Sequence, residues 1–520
     1  MTASRPNVLF IITDQHRRDH VGFMGNEFVR TPHLDALAAR GMVFENAWVA
    51  NPVCMPNRST LMTGRMPSAH GVIFNDRSLE WGANTWVRTM RRAGWRTALI
   101  GKSHLQHGMS RNSRREMDLA PVVDDGYPSE WDRLEDFERY EHDLPEWPDD
   151  FYGFGHVEIA IDHGARVTGH HLHWALAKGG RYEDLVVPMT ADSPALQRSD
   201  RWWQIYQPPY GPELHSTTFV TERTIAFIED SAAAAEPWVC WASFPDPHHP
   251  FTPPGEWWGR HDPADMELSP TIDDPLDGAP EYLRRTQQLA PTDQRMWVQP
   301  CGATDHDLVR EAQAANYATI EMIDDGVGQI LASLEQQGQR QNTIVVFTAD
   351  HGDMMGDHGL MLKGFMPFRG TYQVPFVIDA PGRVPGRSTS LMGSLDVAST
   401  MLELAGLPGY VGIQGTSLSP VLDDPRATVR DHVLVEDDYP AHVARGRVPS
   451  KIRTLITDDH LKYTRMSEGH GEMLFDLDTD PLELDELAST DAHRRARMIE
   501  RLTDALIEAD DQARGAPVSV

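Results

Sequence analysis

Asn7-Val8-Leu9-Phe10-Ile11-Ile12-Thr13, followed directly by Asp14-Gln15, is the stretch on which the fold turns. Its apolar residues are continuous rather than alternating, so it reads as a strand buried on both faces. A helix follows from Pro32 to Arg40, with Thr31 as N-cap, Pro32 at the first helical position and Gly41 as stop. The same βα alternation recurs along the chain. A helical stretch from Thr85 to Ala93 ends at Gly94 and leads into Thr97 to Ile100; Phe219 to Glu229 leads into Trp238 to Phe244. A helix with Ile320, Ile323, Val327, Ile330 and Leu334 on one face precedes Thr343 to Thr348. Repeated helix-then-strand order predicts an α/β fold with a mostly parallel sheet covered by helices.

Between Leu105 and Pro212 the periodicity fades and Asp, Glu, Trp, Tyr and Gly accumulate, which reads as a long insertion near the site mouth. Around Leu418 to Arg426 the chain turns polar. Beyond it Val433 to Glu436, Lys451 to Thr457, Leu461 to Arg465 and Met473 to Asp476 read as short strands, with a helix near Arg494 to Glu508. A large α/β domain over 1–425 and a small α+β C-terminal domain over 426–520 are therefore expected, as 520 residues exceed what one core usually serves.

The formal charge of −30 repels phosphate backbones and anionic membrane surfaces, and no basic run reverses it locally, so neither nucleic acid nor membrane is an expected partner. The apolar run Val8 to Thr13 is too short for a signal segment and no stretch is long enough to span a bilayer, so a cytoplasmic address is expected. Cys54, Cys240 and Cys301 are odd in number and far apart, which argues against a disulfide framework and leaves at least one thiol free.

The chemistry concentrates in Cys54-Met55-Pro56-Asn57-Arg58-Ser59-Thr60-Leu61-Met62-Thr63-Gly64-Arg65. Residues from Arg58 onward can form a helix, placing Cys54 just ahead of a terminus where backbone N–H groups and the dipole favour anions. A buried structural cysteine is the ordinary reading of a lone Cys. A thiolate phosphatase would need Arg six residues on, where Thr60 stands.

Cys54, Pro56, Arg58, Thr63, Gly64 and Arg65 resemble the Cys-x-Pro-x-Arg and Thr-Gly-Arg signature of type I sulfatases. The resemblance implies that a formylglycine-generating enzyme oxidises the cysteine to formylglycine, whose hydrate attacks sulfur. It also implies one divalent cation on strand-end carboxylates, because a hard cation wants oxygen ligands. Asp14-Gln15 and Asp350-His351-Gly352 each follow a strand, where parallel sheets bind ligands. Either pair alone would read as a loop-capping Asp. With Cys54 between them, the expected metal set is Asp14, Gln15, Cys54, Asp350 and His351, and Asp353, Asp357 and His358 become turn formers. Gln15 and His351 match choline sulfatases and phosphonate monoester hydrolases rather than the commonest arylsulfatases. An imidazole ligand keeps Mn²⁺ beside Ca²⁺ as the expected ion.

Gly101-Lys102-Ser103-His104-Leu105 resembles the family's Gly-Lys-x-His-Leu. By that resemblance Lys102 and His104 supply charge and hydrogen bonds to the nucleophile and the sulfuryl group. The phosphonate branch lacks this pair. Pro247-His248-His249-Pro250 matches the family's Pro-His-x-Pro, with His248 as general acid, and Lys363 and Arg58 add positive charge. Asn75 matches an anion-contacting asparagine, though a turn role fits it nearly as well. Trp202, Trp203, Tyr206, Tyr210, Trp257 and Trp258 could line a leaving-group pocket, but loop packing is the better reading. Gly471 to Asp476 and Asp480 to Glu483 resemble the closing motif of sulfatase C-terminal domains.

The resemblance implies an alkaline phosphatase-like fold with a mixed, mainly parallel central sheet flanked by helices. The implied reaction is hydrolysis of a small anionic sulfate ester. Phosphonate monoester or phosphodiester cleavage and sulfamate cleavage are the rivals on the same site, and a non-catalytic anion binder is the rival of another class. A homo-oligomer is left open.

Overall fold

The computed structural model describes residues 5–106, 127, 129–234, 236–291 and 300–510. Its strands are β1 (Asn7–Thr13), β2 (Met42–Trp48), β3 (Arg96–Gly101), β4 (His156–Ile161), β5 (Thr168–Gly169), β6 (Gln197–Arg198), β7 (Tyr206–Gln207), β8 (Trp238–Ser243), β9 (Cys301–Gly302), β10 (Thr343–Ala349), β11 (Leu360–Met361), β12 (Phe376–Asp379), β13 (Gly386–Gly393), β14 (His432–Asp438), β15 (Lys451–Thr457), β16 (Leu461–Met466) and β17 (Gly471–Asp476). Nine of them form one mixed sheet in the order β13-β2-β12-β10-β1-β8-β3-β4-β5. β1 pairs in parallel with both β10 and β8, β3 with β8 and β4, and β13 with β2, whereas β12 and β5 run antiparallel to their neighbours. This is the mixed, mainly parallel architecture the sequence predicts.

The unbroken apolar run of β1 has its reason in burial on both faces. Val8, Phe10 and Ile12 join one core cluster with Trp86, Trp241 and Met401, while Leu9 and Ile11 join the opposite one with Phe219, Ile323 and Phe347. On the second face lie α1 (Pro32–Arg40) and the helices Ser216–Ala234 and His306–Gln336; on the first lie α2 (Cys54–Thr63) and the helices Trp86–Arg92 and Asp396–Leu404.

Strands β14 to β17 make a separate four-stranded antiparallel sheet. One face packs Leu434, Leu455, Tyr463 and Leu474 against Met498, Leu502 and Ala505 of the helix Ala492–Ala509; the other carries Ile452, Met466, Met473 and Phe475 against Tyr282 and Phe368. Within the stretch from 105 to 212 that reads as an insertion, β4 and β5 join the edge of the nine-stranded sheet. No described helix is long and apolar enough to cross a membrane.

Register sets the site. Thr13 lies opposite Ala349, Ile12 opposite Ser243, Gly101 opposite Ser243 and Ile159. Five parallel strands therefore end in one row, and four of them lead there into Asp14, Asp350, Lys102 and, two beyond β4, His163. Gly101 is required there: its φ is +96° and a Cβ would stand 1.9 Å from the Ser243 carbonyl oxygen.

Candidate active site

Every side chain of the strand-end row is buried. Asp14 lies at the centre. Its Oδ2 accepts from Arg58 Nη2 at 3.2 Å and from Lys102 Nζ, and its Oδ1 is 3.8 Å from both Cys54 Sγ and His351 Nε2. Cys54 Sγ is 3.2 Å from His351 Nε2 and 3.0 Å from Lys363 Nζ, which is also 3.0 Å from His248 Nε2. Cys54 is the first residue of α2 rather than standing ahead of a helix that begins near Arg58, with Val53 as the extended N-cap. Pro56 in the first turn costs no hydrogen bond, which is why the helix starts earlier than expected.

Electrostatics follow from cations crowded around buried acids. Burial pushes the Cys54 thiol up, but Lys102, Lys363 and His351 outweigh it and hold the group well below the ordinary thiol range. Burial and Cys54 likewise raise Asp14, and Lys102, His248 and Lys363 overcome both. Asp350 goes the other way: burial and the neighbouring Asp14 charge raise it from its ordinary value against the pull of Arg58. Burial, His163, Lys363 and His249 keep His248 neutral, and burial with Lys102 takes His104 down to about 3.

Arg58 is wholly buried and commits its guanidinium to protein groups. Nε donates to Asp350 Oδ2 at 2.7 Å, Nη2 to Asp14, and Nη1 to the Lys102 carbonyl at 3.0 Å and Ser243 Oγ at 2.8 Å. It thus faces the two carboxylates rather than open space for sulfuryl oxygens. Asn75 Oδ1 accepts the Met55 N–H at 3.0 Å, which fixes its amide beside the start of α2.

The donors fit one divalent cation. Ligand atoms of Asp14, Cys54, Asp350 and His351 all lie within 4.8 Å of one another. Gln15, held at φ +57°, donates through Nε2 to Asp353, and its buried Oε1 is left with no hydrogen-bond partner. An orphaned amide oxygen beside two carboxylates and an imidazole suits a hard cation that tolerates one nitrogen. Asp353, Asp357 and His358 pair with Gln15, Arg17 and Asp274, as loop builders should. Of the two adjacent histidines, His248 faces the cluster while His249 Nδ1 meets Gln204 Oε1 at 2.7 Å. Trp202 and Trp203 pack with Phe251 and Cys301, and Tyr206 and Tyr210 with Leu172 and Leu214, which is loop packing.

His163 was not expected. Its ring stacks on His248 at 3.8 Å between centroids, and its Nε2 meets Lys102 Nζ. A strand-end rule applied to His156–Ile161 would have found it, but the polar surroundings hid the strand. Glu135 carries no sequence signal at all. Its carboxylate accepts the backbone N–H groups of His104, Leu105 and Gln106 and so shapes the turn that aims His104.

Residues 6–407 match the family described as Sulfatase, and residues 356–512 match N-sulphoglucosamine sulphohydrolase, C-terminal. The chain is 28% identical over 497 residues to an arylsulfatase of Clostridium perfringens (strain 13 / Type A), covering 94% of this chain and 92% of that protein. It is 27% identical over 496 residues to a choline-sulfatase of Rhizobium meliloti (strain 1021), covering 94% and 83%. Its fold matches the phosphonate monoester hydrolase of Agrobacterium radiobacter with a TM-score of 0.78 at 24% identity, over 98% of this chain and 97% of that one.

Proposed function

Because this chain belongs to the sulfatase family, we propose that it hydrolyses sulfate monoesters of small molecules using residue 54, converted from cysteine to formylglycine, beside one divalent cation, Ca²⁺ or Mn²⁺. The observation that carries this reading is Cys54 at the start of α2, within reach of Asp14, His351 and Lys363. When present, the formylglycine hydrate supplies an oxygen nucleophile and the cation a Lewis acid. Asp14, Gln15, Asp350 and His351 would hold the cation.

The chain's own residues do the rest. Arg58 locks Asp14 and Asp350 in place. Lys102 and Lys363 offer charge to the sulfuryl oxygens in a site closed to water, where such charge counts most. His163 and Asp14 together pin Lys102, and the NH₂ group of Asn75 is left to donate to the anion. His104 attends residue 54. A proton held between Lys363 Nζ and His248 Nε2 serves the leaving oxygen, since burial first and the neighbouring cations second keep His248 neutral, and the negative charge of a bound ester opposes both. In this reading residues 1–425 form the catalytic unit, and the 426–520 unit buttresses it through Glu436, which accepts from the backbone N–H and hydroxyl of Ser68 just beyond α2.

The test is peptide mass spectrometry of position 54 together with turnover of an aryl sulfate. Loss of sulfur and two hydrogens with gain of one oxygen at residue 54, and loss of turnover in Cys54→Ala with the fold intact, are expected. Full activity in Cys54→Ala would overturn the mechanism, and binding without turnover in the converted protein would favour a non-catalytic anion binder.

Phosphonate monoester and phosphodiester cleavage is a second activity of the same site. As metal ligands Gln15 and His351 would both be neutral, so the cation would keep more of its charge than among three aspartates, and phosphonate monoesters and phosphodiesters, singly charged like sulfate monoesters, make the same electrostatic demand on it. Sulfate monoesters are the preferred substrates, because Lys102 and His104 are present. Comparing kcat/KM for aryl sulfate and aryl phosphonate in the wild type and in Lys102→Tyr with His104→Thr checks this. The double change should shift the ratio towards phosphonate, and an unmoved ratio or a wild-type preference for phosphonate refutes the order.

A further inference from the structure

Behind the loops that carry Gln15 and Asp350 lies a cleft of about 600 Å³ whose lining includes Arg18, Arg369 and Gln373, none of them used above. Arg18 donates through Nε to the Glu45 carbonyl at 3.0 Å, and its terminal amines have no partner among the described residues. Arg369 donates through Nε to Gln373 Oε1 at 3.1 Å and through Nη1 to the Pro481 carbonyl at 2.8 Å, leaving Nη2 over. Neither guanidinium forms an ion pair among the described residues. They are close enough that, after burial, Arg369 is what most disfavours the charge on Arg18.

Gln373 makes the donor surplus sharper. It is 3% exposed, its oxygen is fixed by Arg369, and its buried Nε2 has no acceptor. A native fold rarely strands a buried donor, and three donors in one cleft lacking acceptors call for a ligand rich in them. The acids nearby are mostly spoken for: Asp19 and Asp357 pair with Arg17, and Glu483 with Lys462. Glu27 and Glu267 are exposed, where water screens them.

We propose that this cleft is a second binding site, separate from the one around Cys54, for an oxyanion such as sulfate, phosphate or carboxylate, free or carried on a small molecule, held by Arg18, Arg369 and Gln373. A planar guanidinium fork matches the paired oxygens of such groups. The site abuts the ligand loops. The Gly352 N–H donates to the Thr371 carbonyl at 3.1 Å, and a Cβ on Gly352 would stand 1.9 Å from the Gly370 carbonyl oxygen, so the turn after Arg369 is wedged against Asp350 and His351. On the other side Arg17, two residues after Gln15, donates to the carbonyls of Asp353 and Met354. An anion here braces both loops from outside.

Calorimetric titration of the full chain with inorganic sulfate, inorganic phosphate and malonate tests the site, alongside Arg18→Ala with Arg369→Ala and, separately, Gln373→Glu. Two classes of site are expected in the wild type, with the cleft class lost in the double variant and weakened about tenfold or more in Gln373→Glu, the loss of one charged hydrogen bond. The class around residue 54 and turnover of aryl sulfate should persist in both. Binding of all three probes identifies the bare oxyanion as the ligand, and binding of malonate alone a carboxylate. Isotherms that are the same in wild type and variants, or selenate density found only beside residue 54 in crystals, overturn the proposal. Because the two classes are counted separately, failure here leaves the hydrolase reading untouched, and failure of turnover leaves this one.

Discussion

Arg58 shows what a residue's burial demands. Two carboxylates from different strands, both without solvent contact, share its guanidinium, and no other group can reach both with a planar fork. Removing one member of a buried charged set leaves the others unpaired, which costs roughly 3–5 kcal/mol. Arg58→Ala is therefore expected to lower the denaturant midpoint sharply and to release the cation. Arg58→Lys, which keeps the charge but loses the fork, should fold, hold less metal by elemental analysis and turn over slowly. A Lys variant with unaltered metal content and rate would show that Arg58 does not position Asp14 and Asp350. The motif flagged Arg58 but not its direction, because a sequence does not say which way a buried guanidinium points.

Strand β14 carries an element-scale consequence. Asp437 is fully buried, neither oxygen has a hydrogen bond of ordinary geometry, and the hydroxyls of Tyr282 and Tyr372 near it are also unpartnered. Burial pushes its carboxyl up to about 7, with Asp438 adding to the rise and Tyr439 and Arg453 opposing it. The folded form thus keeps a proton that the unfolded chain loses near the ordinary 3.8, so this group's contribution to stability falls as pH rises from about 4 to 7 and then levels off. Asp437→Asn removes the penalty. Its stability advantage should grow between pH 5 and pH 8 towards an upper bound of about 4 kcal/mol. Glu135, also pushed up to about 7, contributes equally to both proteins and cancels. An advantage independent of pH would place the ionisation of Asp437 outside this range. The elements that were legible share a related reason: where burial is regular, as in β1, α1 and β15, the expected and observed limits coincide. β2 and β13 went unread because their polar and small residues (Glu45, Asn46, Ser388, Thr389) break the apolar run, β12 because its four residues are too few to carry a pattern, and the pairing of all three comes from neighbours distant in sequence.

At the scale of the whole molecule, the central sheet gathers two acids and the cations that hold them at the carboxyl ends of its parallel strands. Asp14 follows β1 and Asp350 follows β10, two adjacent strands in the middle of nine, and the residues that meet there come from seven separate stretches between Asp14 and Lys363. Strand-end residues from four of those stretches could be read locally. His163 also follows a strand end, but polar surroundings hide that strand, and Glu135 has no local signal, since only the fold brings it under the turn of His104. A cation on Asp14, Gln15, Asp350 and His351 ties the middle of the sheet to the loops that the cleft braces from behind, so it should stabilise the fold as well as serve the chemistry. A ligand that binds only the folded state at a hundred times its Kd adds about 2.7 kcal/mol. Exhaustive chelation is therefore expected to abolish turnover, lower the thermal midpoint by a few degrees, and leave both recoverable on adding Ca²⁺ or Mn²⁺. Asp350→Asn, which removes one ligand charge, should need more metal to reach the same midpoint and should respond less to chelation. Arg58 keeps the two carboxylates together without the ion, so the metal-free protein stays folded and the loss is reversible. A chelated protein, metal-free by elemental analysis, that keeps its activity and its thermal midpoint would mean that these residues hold no functional cation.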